Sequence, residues 1–175
     1  MSIRARMNIL HTFNILIIII IQTTVLDYFK IKGIKPNMIF TYTVCTSILE
    51  GSTPGAVIGL AAGMALDIVS GKVLGFYSLL GMYAGIIAGL ASRKLYKDNI
   101  LVVTTFTFFI TFIYETVALL CTGFSGFSVA KLLSIFRTVI LPTALYNSAL
   151  SIIMHLLLLK TVEKLNLKAS TKKRR

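Results

Sequence analysis

The chain has 175 residues, a formal charge of +12 and a mean hydropathy of +0.85, with 56% hydrophobic and 14% charged residues. Soluble domains carry roughly 25% charged residues, and here the apolar residues form long blocks, so the composition excludes a soluble globular fold and indicates an integral membrane protein. The 18 basic residues lie between and after these blocks, which suits an anionic membrane surface better than a nucleic acid.

Six apolar blocks in chain order predict one all-helical membrane domain over residues 1–175, with six transmembrane helices. The predicted spans cover about residues 7–29, 38–50, 54–70, 73–92, 99–121 and 138–160. The second block is short, because 13 helical residues rise only ~20 Å against a hydrocarbon core of ~30 Å. Two alternatives therefore stay open: spans two and three form a helical hairpin, or span two begins earlier, near Ile31.

The distribution of basic residues predicts the orientation of the spans. With both termini in the cytoplasm, 12 of the 18 basic residues lie on the inner side and 6 on the outer side, as the positive-inside rule favours. Five spans would instead put the basic residues of the two termini on opposite sides. We therefore expect a multi-pass protein of the cell membrane whose residues 161–175 form a basic cytoplasmic tail that contacts anionic lipids.

Small residues recur at every fourth position around span three. This ladder consists of Gly51, Gly55, Gly59, Gly63, Asp67, Gly71 and Gly75, and Gly81, Gly85 and Gly89 repeat the spacing on span four. Glycines at this spacing let the backbone of another membrane helix approach closely. We expect span three to use its ladder for packing inside the protein and span four to use its glycines for a partner helix.

Among the polar residues within the predicted spans, we single out two carboxylates, Asp67 and Glu115, and the amide Asn147. Intramembrane carboxylates are costly and are often functional, and both of these fall in the outer half, where they could face one cavity. Lys72 and Arg137 are candidate ion-pair partners near the same surface. A buried ion pair or hydrogen-bonded cluster that fixes helix register is the first interpretation, a ligand or ion site is the second, and simple exposure at an interface is the third.

No pattern in the chain predicts catalysis, a cofactor or a metal. Gly123–Gly126 resembles the Gly-x-Ser-Gly sequence of rhomboid proteases, but His155 would lie ~25 Å below Ser125 and outside hydrogen-bond reach. His11 and His155 are on different spans without further ligands at metal spacing, so we expect packing or interfacial hydrogen bonds for both.

The chain from Pro36 onward resembles the rod shape-determining protein MreD family. The resemblance rests on Pro36-Asn37, the Gly55–Asp67 ladder and its continuation to Gly75, Glu115, and Pro142 with Tyr146-Asn147. It implies a non-catalytic scaffold of the bacterial wall-elongation machinery, acting in rod-shape determination and lateral peptidoglycan synthesis. The implied partners are the bitopic protein MreC, then MreB and the peptidoglycan polymerase/transpeptidase pair.

The same family resembles the substrate-binding S-components of energy-coupling-factor transporters, which share a six-helix plan. This likeness implies an alternative function, the binding of a small vitamin. S-components usually carry an Ala-x-x-x-Ala motif on span one, whereas residues 8–26 contain no alanine. We therefore favour the scaffold, because fold likeness alone does not establish function.

Overall fold

The structure is a computed structural model that describes residues 3–26, 28–30, 33–70, 74–92, 99–123 and 129–173. The described chain is almost entirely helical, which confirms the all-helical part of the predicted fold class. The helices are α1 (Ile3–Ile20), α2 (Met38–Glu50), α3 (Ser52–Ser70), α4 (Phe76–Ala91), α5 (Ile100–Gly123), α6 (Val129–Ile135) and α7 (Leu141–Lys173). Two π-helical turns extend them, Ile21–Val25 after α1 and Phe136–Ile140 between α6 and α7.

Four helical stretches in the described residues are long and apolar enough to cross a membrane. They are Met7–Val25, Ser52–Val69, Ile100–Cys121 and Lys131–Val162. The helices α2 and α4 are also apolar but shorter. The four long helices confirm a membrane protein, and the prediction of six spans depends on the two short helices.

The short helix α2 lies at the centre of the molecule. Ten consecutive residues, from Ile39 to Ile48, are buried, and α2 contacts α1, α3, α4, α5 and α7. On α5, the ring of Tyr114 packs on Phe40 with a centroid separation of 4.1 Å. A helix surrounded by protein does not have to match the thickness of the lipid, provided that its backbone ends find partners within the protein. Burial by protein therefore removes the need for α2 to match the full thickness of the lipid.

Helix precedes the predicted span six. The structure continues α6 through the π-helical turn directly into α7. The same helix continues beyond residue 160 to Lys173, so the predicted tail extends the last span as helix over most of its length.

Candidate functional site

The two glycine ladders face each other across the α3–α4 interface. A Cβ atom added to Gly81 would lie 2.5 Å from the carbonyl oxygen of Gly59, and one added to Gly85 would overlap the carbonyl oxygen of Gly55. A Cβ atom on Gly63 would likewise overlap backbone atoms of Tyr77 and Ser78. The numbering runs in opposite directions, so α3 and α4 are antiparallel and their backbones touch, as small residues permit in membranes.

This geometry corrects the expectation for span four. Gly81, Gly85 and Gly89 were expected to meet a partner helix, yet a Cβ atom on each of them would run into backbone of residues 51–59. The two glycine stripes fit each other and leave no room for a third helix between them. Gly51 and Gly75, at the ends of the ladder, instead adopt positive φ angles of 101° and 94° in turns that bound α3 and α4.

Asp67 joins the end of α3 to the beginning of α4. It is 2% exposed, and its carboxylate accepts hydrogen bonds from the backbone N–H groups of Gly75, Tyr77 and Ser78 at 2.9 to 3.0 Å and from the Ser78 hydroxyl at 2.8 Å. The first N–H groups of a helix lack intrahelical acceptors, and the N-terminus attracts negative charge. Asp67 on α3 therefore caps the N-terminus of the next helix, α4.

Within the described residues, Asp67 is satisfied by these contacts and not by Arg137. Lys72 lies outside the described residues, and Arg137 is exposed and forms no described salt bridge with Asp67 or Glu115. The reason is that four donors from α4 already satisfy the Asp67 carboxylate. The expectation of an Asp67–Arg137 pair is corrected accordingly, and the interpretation as a hydrogen-bonded cluster fits the geometry.

Glu115 has a different environment from Asp67. It lies on α5 and lines a cavity of about 480 Å³, which we call the Glu115 cavity. The lining residues are Gln22, Gly33, Ile34, Lys35, Asn37, Leu66, Tyr77, Tyr114, Glu115, Thr138, Val139 and Thr143. Asp67 is not among the lining residues. The two carboxylates therefore do not share this cavity, although the sequence analysis expected that they could face one cavity. The cavity lies at the end of the molecule that the charge distribution predicts to be outer.

Asn147 helps to hold the beginning of α2. Its carboxamide oxygen accepts a 2.7 Å hydrogen bond from the backbone N–H of Asn37, and the residue is fully buried. Gln22, which the sequence analysis did not single out, donates to the carbonyl oxygen of Pro36 at 3.1 Å and accepts from the N–H of Met38 at 2.9 Å. These amides satisfy backbone groups that would otherwise be unpaired inside the membrane.

A second polar cluster at the other end of α2 was also missed. The His11 ring lies 2.7 Å from the Tyr42 hydroxyl through Nδ1 and 2.9 Å from Glu50 through Nε2. We expected packing or interfacial hydrogen bonds for His11, and Glu50 was placed at the end of the predicted span 38–50 without a role. Both residues lie toward the predicted inner ends of spans one and two, and this shared location is the sequence feature that could have connected them.

His11 and Glu50 also line an open groove between α1 and α3, which we call the His11 groove. Its volume is about 820 Å³, and it is lined by Met7, Asn8, His11, Thr12, Ile15, Glu50, Thr53, Pro54, Val57, Ile58 and Ala61. Asn8, Thr12, Thr53, Val57 and Ala61 are exposed. Across the described part of the chain, no three His, Cys, Asp or Glu side chains are placed to hold a metal ion.

One comparison with known proteins identifies the family of the chain. Residues 3–165 match the family model described as rod shape-determining protein MreD. The chain matches no curated protein and no solved structure, so the likeness to S-components stays a prediction. The family match covers nearly the whole chain and agrees with the apolar helices described above. The chain therefore belongs to the MreD family of rod shape-determining membrane proteins.

Proposed function

We propose that this protein is a non-catalytic scaffold of rod-shape determination and lateral peptidoglycan synthesis, and that it binds the single transmembrane helix of an MreC-like bitopic protein in the His11 groove. Family membership supports the role in cell shape. The observation that carries the binding proposal is the groove itself, which lies between two helices and exposes the polar side chains of Asn8, Thr12 and Thr53.

The groove has the features that membrane helix interfaces use. Ala61 and Thr53 on α3 and Thr12 on α1 are small, so a partner backbone can come close. The Asn8 side chain is exposed and can donate or accept a hydrogen bond from a partner, since lipid tails cannot. The glycine ladders supply no competing site because α3 and α4 already occupy each other's grooves.

The remaining partners follow from family membership and charge. The bitopic protein would connect the scaffold to the peptidoglycan polymerase/transpeptidase pair outside, with MreB on the cytoplasmic side. Residues 160–175 contain seven basic residues, which would hold the last helix against anionic lipids at roughly 1 kcal/mol for each basic residue near the surface. We propose no nucleic acid among the partners.

Enlarging Ala61 should block the groove without unfolding the protein. We expect Ala61→Phe to lower copurification of the bitopic partner at least tenfold while the melting temperature of the isolated protein is unchanged, because residue 61 is exposed. Ala149→Phe is the matched control, since Ala149 is exposed on α7 and does not line the groove. Copurification of Ala61→Phe at the level of Ala149→Phe would place the partner elsewhere.

The scaffold role also requires a defined orientation, which we propose as six crossings with both termini in the cytoplasm. A reporter enzyme that is active only outside the cytoplasm should be inactive when fused after Arg175 and active when fused to a chain that ends at Gly126. The physical reason is the excess of basic residues on the inner side. Activity after Arg175 would contradict the proposed orientation.

A further inference from the structure

The His11 groove changes in polarity along its length. Its polar lining residues gather at the end near the C-terminus of α2, and the wall toward the middle of α1 and α3 is apolar. The polar residues are Asn8, His11, Thr12, Glu50 and Thr53, and the apolar wall consists of Ile15, Val57, Ile58 and Ala61. The charge distribution of the chain predicts that the polar end is cytoplasmic. A helix in the groove would therefore meet apolar side chains along its span and a carboxylate near its cytoplasmic end.

Glu50 ends a chain of hydrogen bonds that begins in the core. The amide of Asn14 donates to the hydroxyl oxygen of buried Tyr42 at 3.4 Å, and the Tyr42 hydroxyl can donate in turn to Nδ1 of His11 at 2.7 Å. Nε2 of His11 then directs its hydrogen to Oε1 of Glu50 at 2.9 Å. A neutral imidazole satisfies both contacts, since one ring nitrogen accepts and the other donates. The contact with His11 therefore gives Glu50 a hydrogen bond without cancelling its negative charge.

The Glu50 carboxylate keeps acceptor capacity at the groove. A carboxylate has about four acceptor sites, and the His11 ring engages Oε1 alone. The Asp67 carboxylate, by comparison, accepts four hydrogen bonds from α4. The Glu50 side chain is 14% exposed and lines the groove, so a group bound there can reach it. A positively charged donor would complete the coordination of this carboxylate, because charge-assisted hydrogen bonds are stronger than neutral ones.

A bitopic partner supplies such a donor at the required height. Membrane helices carry lysine and arginine just beyond their cytoplasmic end, whichever way the chain runs. The long side chains of these residues lie along apolar surface while the charged group remains in a polar environment. With the orientation proposed above, that flank of the partner lies beside Glu50, where Asn8, Thr12 and Thr53 are exposed as well. The groove is thus complementary in polarity and in charge to the cytoplasmic half of a membrane helix.

We propose that Glu50 is the specificity-determining residue of the His11 groove, and that it forms an ion pair with a lysine or arginine at the cytoplasmic end of the partner helix. This inference rests on the proposed function and adds the residue that recognises the partner. The ion pair fixes the height of the partner in the groove, whereas the apolar wall supplies packing. A membrane helix without a basic residue at this height is disfavoured, because it would cover the Glu50 carboxylate without pairing it.

The test measures copurification of the full-length protein, in detergent, with the bitopic MreC-like protein of the same bacterium. Glu50→Gln keeps an oxygen that can accept from His11 and removes the charge, so the melting temperature should be retained and copurification should fall about tenfold. The basic residues that flank the partner helix on its cytoplasmic side are replaced with glutamine one at a time, and one of these changes should have the same effect. Combining that change with Glu50→Gln should cause little further loss, because both groups act through one contact.

Matched variants separate this inference from the proposed function. Glu115→Gln removes the carboxylate of the Glu115 cavity and should copurify like the wild-type protein. The partner variants leave this protein unchanged, so they keep the test decisive if Glu50→Gln melts at a lower temperature. Loss of copurification in Ala61→Phe, with wild-type copurification in Glu50→Gln, would overturn the inference and retain the groove. Additive losses in the combined variant would also overturn it, whereas wild-type copurification of Ala61→Phe would overturn the groove itself.

Discussion

Replacing Gly59 with leucine should destabilise the isolated protein strongly. A Cβ atom at residue 59 would already overlap the carbonyl group of Gly81, and backbone cannot move aside as a flexible side chain can. Overpacking typically lowers folding stability by about 1–3 kcal/mol. Because the overlap here involves backbone along a whole interface, we expect a loss of stability at the upper end of this range. No hydrophobic gain offsets the cost, because lipid solvates leucine as well as protein does. A lower melting temperature and a lower folded yield should both be measured.

Two further variants test whether the α3–α4 contact is the cause. Ala61→Leu adds a comparable side chain to the exposed face of α3 and should melt like the wild-type protein. Gly81→Leu disrupts the same contact as Gly59→Leu, so the double variant should lose less stability than the two single losses combined. Equal melting of Gly59→Leu and Ala61→Leu would contradict close packing of the two ladders.

Replacing Asp67 with alanine should have the second large effect. The change leaves the N–H groups of Gly75, Tyr77 and Ser78 without their acceptor at the beginning of α4. Each buried unsatisfied polar group costs about 1–3 kcal/mol, so the loss from the whole cluster should reach several kcal/mol. We expect folded yield and shape function to fall together, measured by yield after size exclusion and by rescue of rod shape in a strain that lacks the protein.

Ser78→Ala is the graded control for this prediction. It removes one of the four donors to Asp67 and keeps the three backbone contacts, so its loss of stability should be about 1 kcal/mol. Once Asp67 is alanine, the further change Ser78→Ala should have little effect because their shared hydrogen bond is already absent. Normal melting of Asp67→Ala together with loss of shape function would instead indicate that Asp67 contacts a partner.

The local sequence pattern was sufficient to predict several features of the fold. The apolar blocks predict the helices and most of their bounds, because burial in lipid requires uninterrupted apolar residues with internally paired backbone. The four-residue spacing of Gly55, Gly59 and Gly63 indicates a close helix approach for the same reason. Gly81, Gly85 and Gly89 show the same spacing in the sequence. Spacing alone, however, does not indicate which helix each glycine stripe packs against.

The candidate site, too, could be predicted only in part from the sequence. The rarity of charges in the spans singled out Asp67 and Glu115, since a carboxylate in hydrocarbon needs a reason. Their different roles could not be predicted, because these depend on which atoms lie within about 3 Å. The nearest donors to Asp67 come from the first turn of the next helix, whereas Glu115 faces a cavity built by segments from across the chain.

The sequence by itself thus determined that this is a helical membrane protein with small-residue stripes and two intramembrane carboxylates, because composition and periodicity act locally along the chain. Only the tertiary structure decided that the stripes of α3 and α4 face each other, that protein surrounds the short helix α2, and that His11 meets Glu50. Those outcomes depend on contacts between residues distant in the chain, and the mutual arrangement of the helices fixes them.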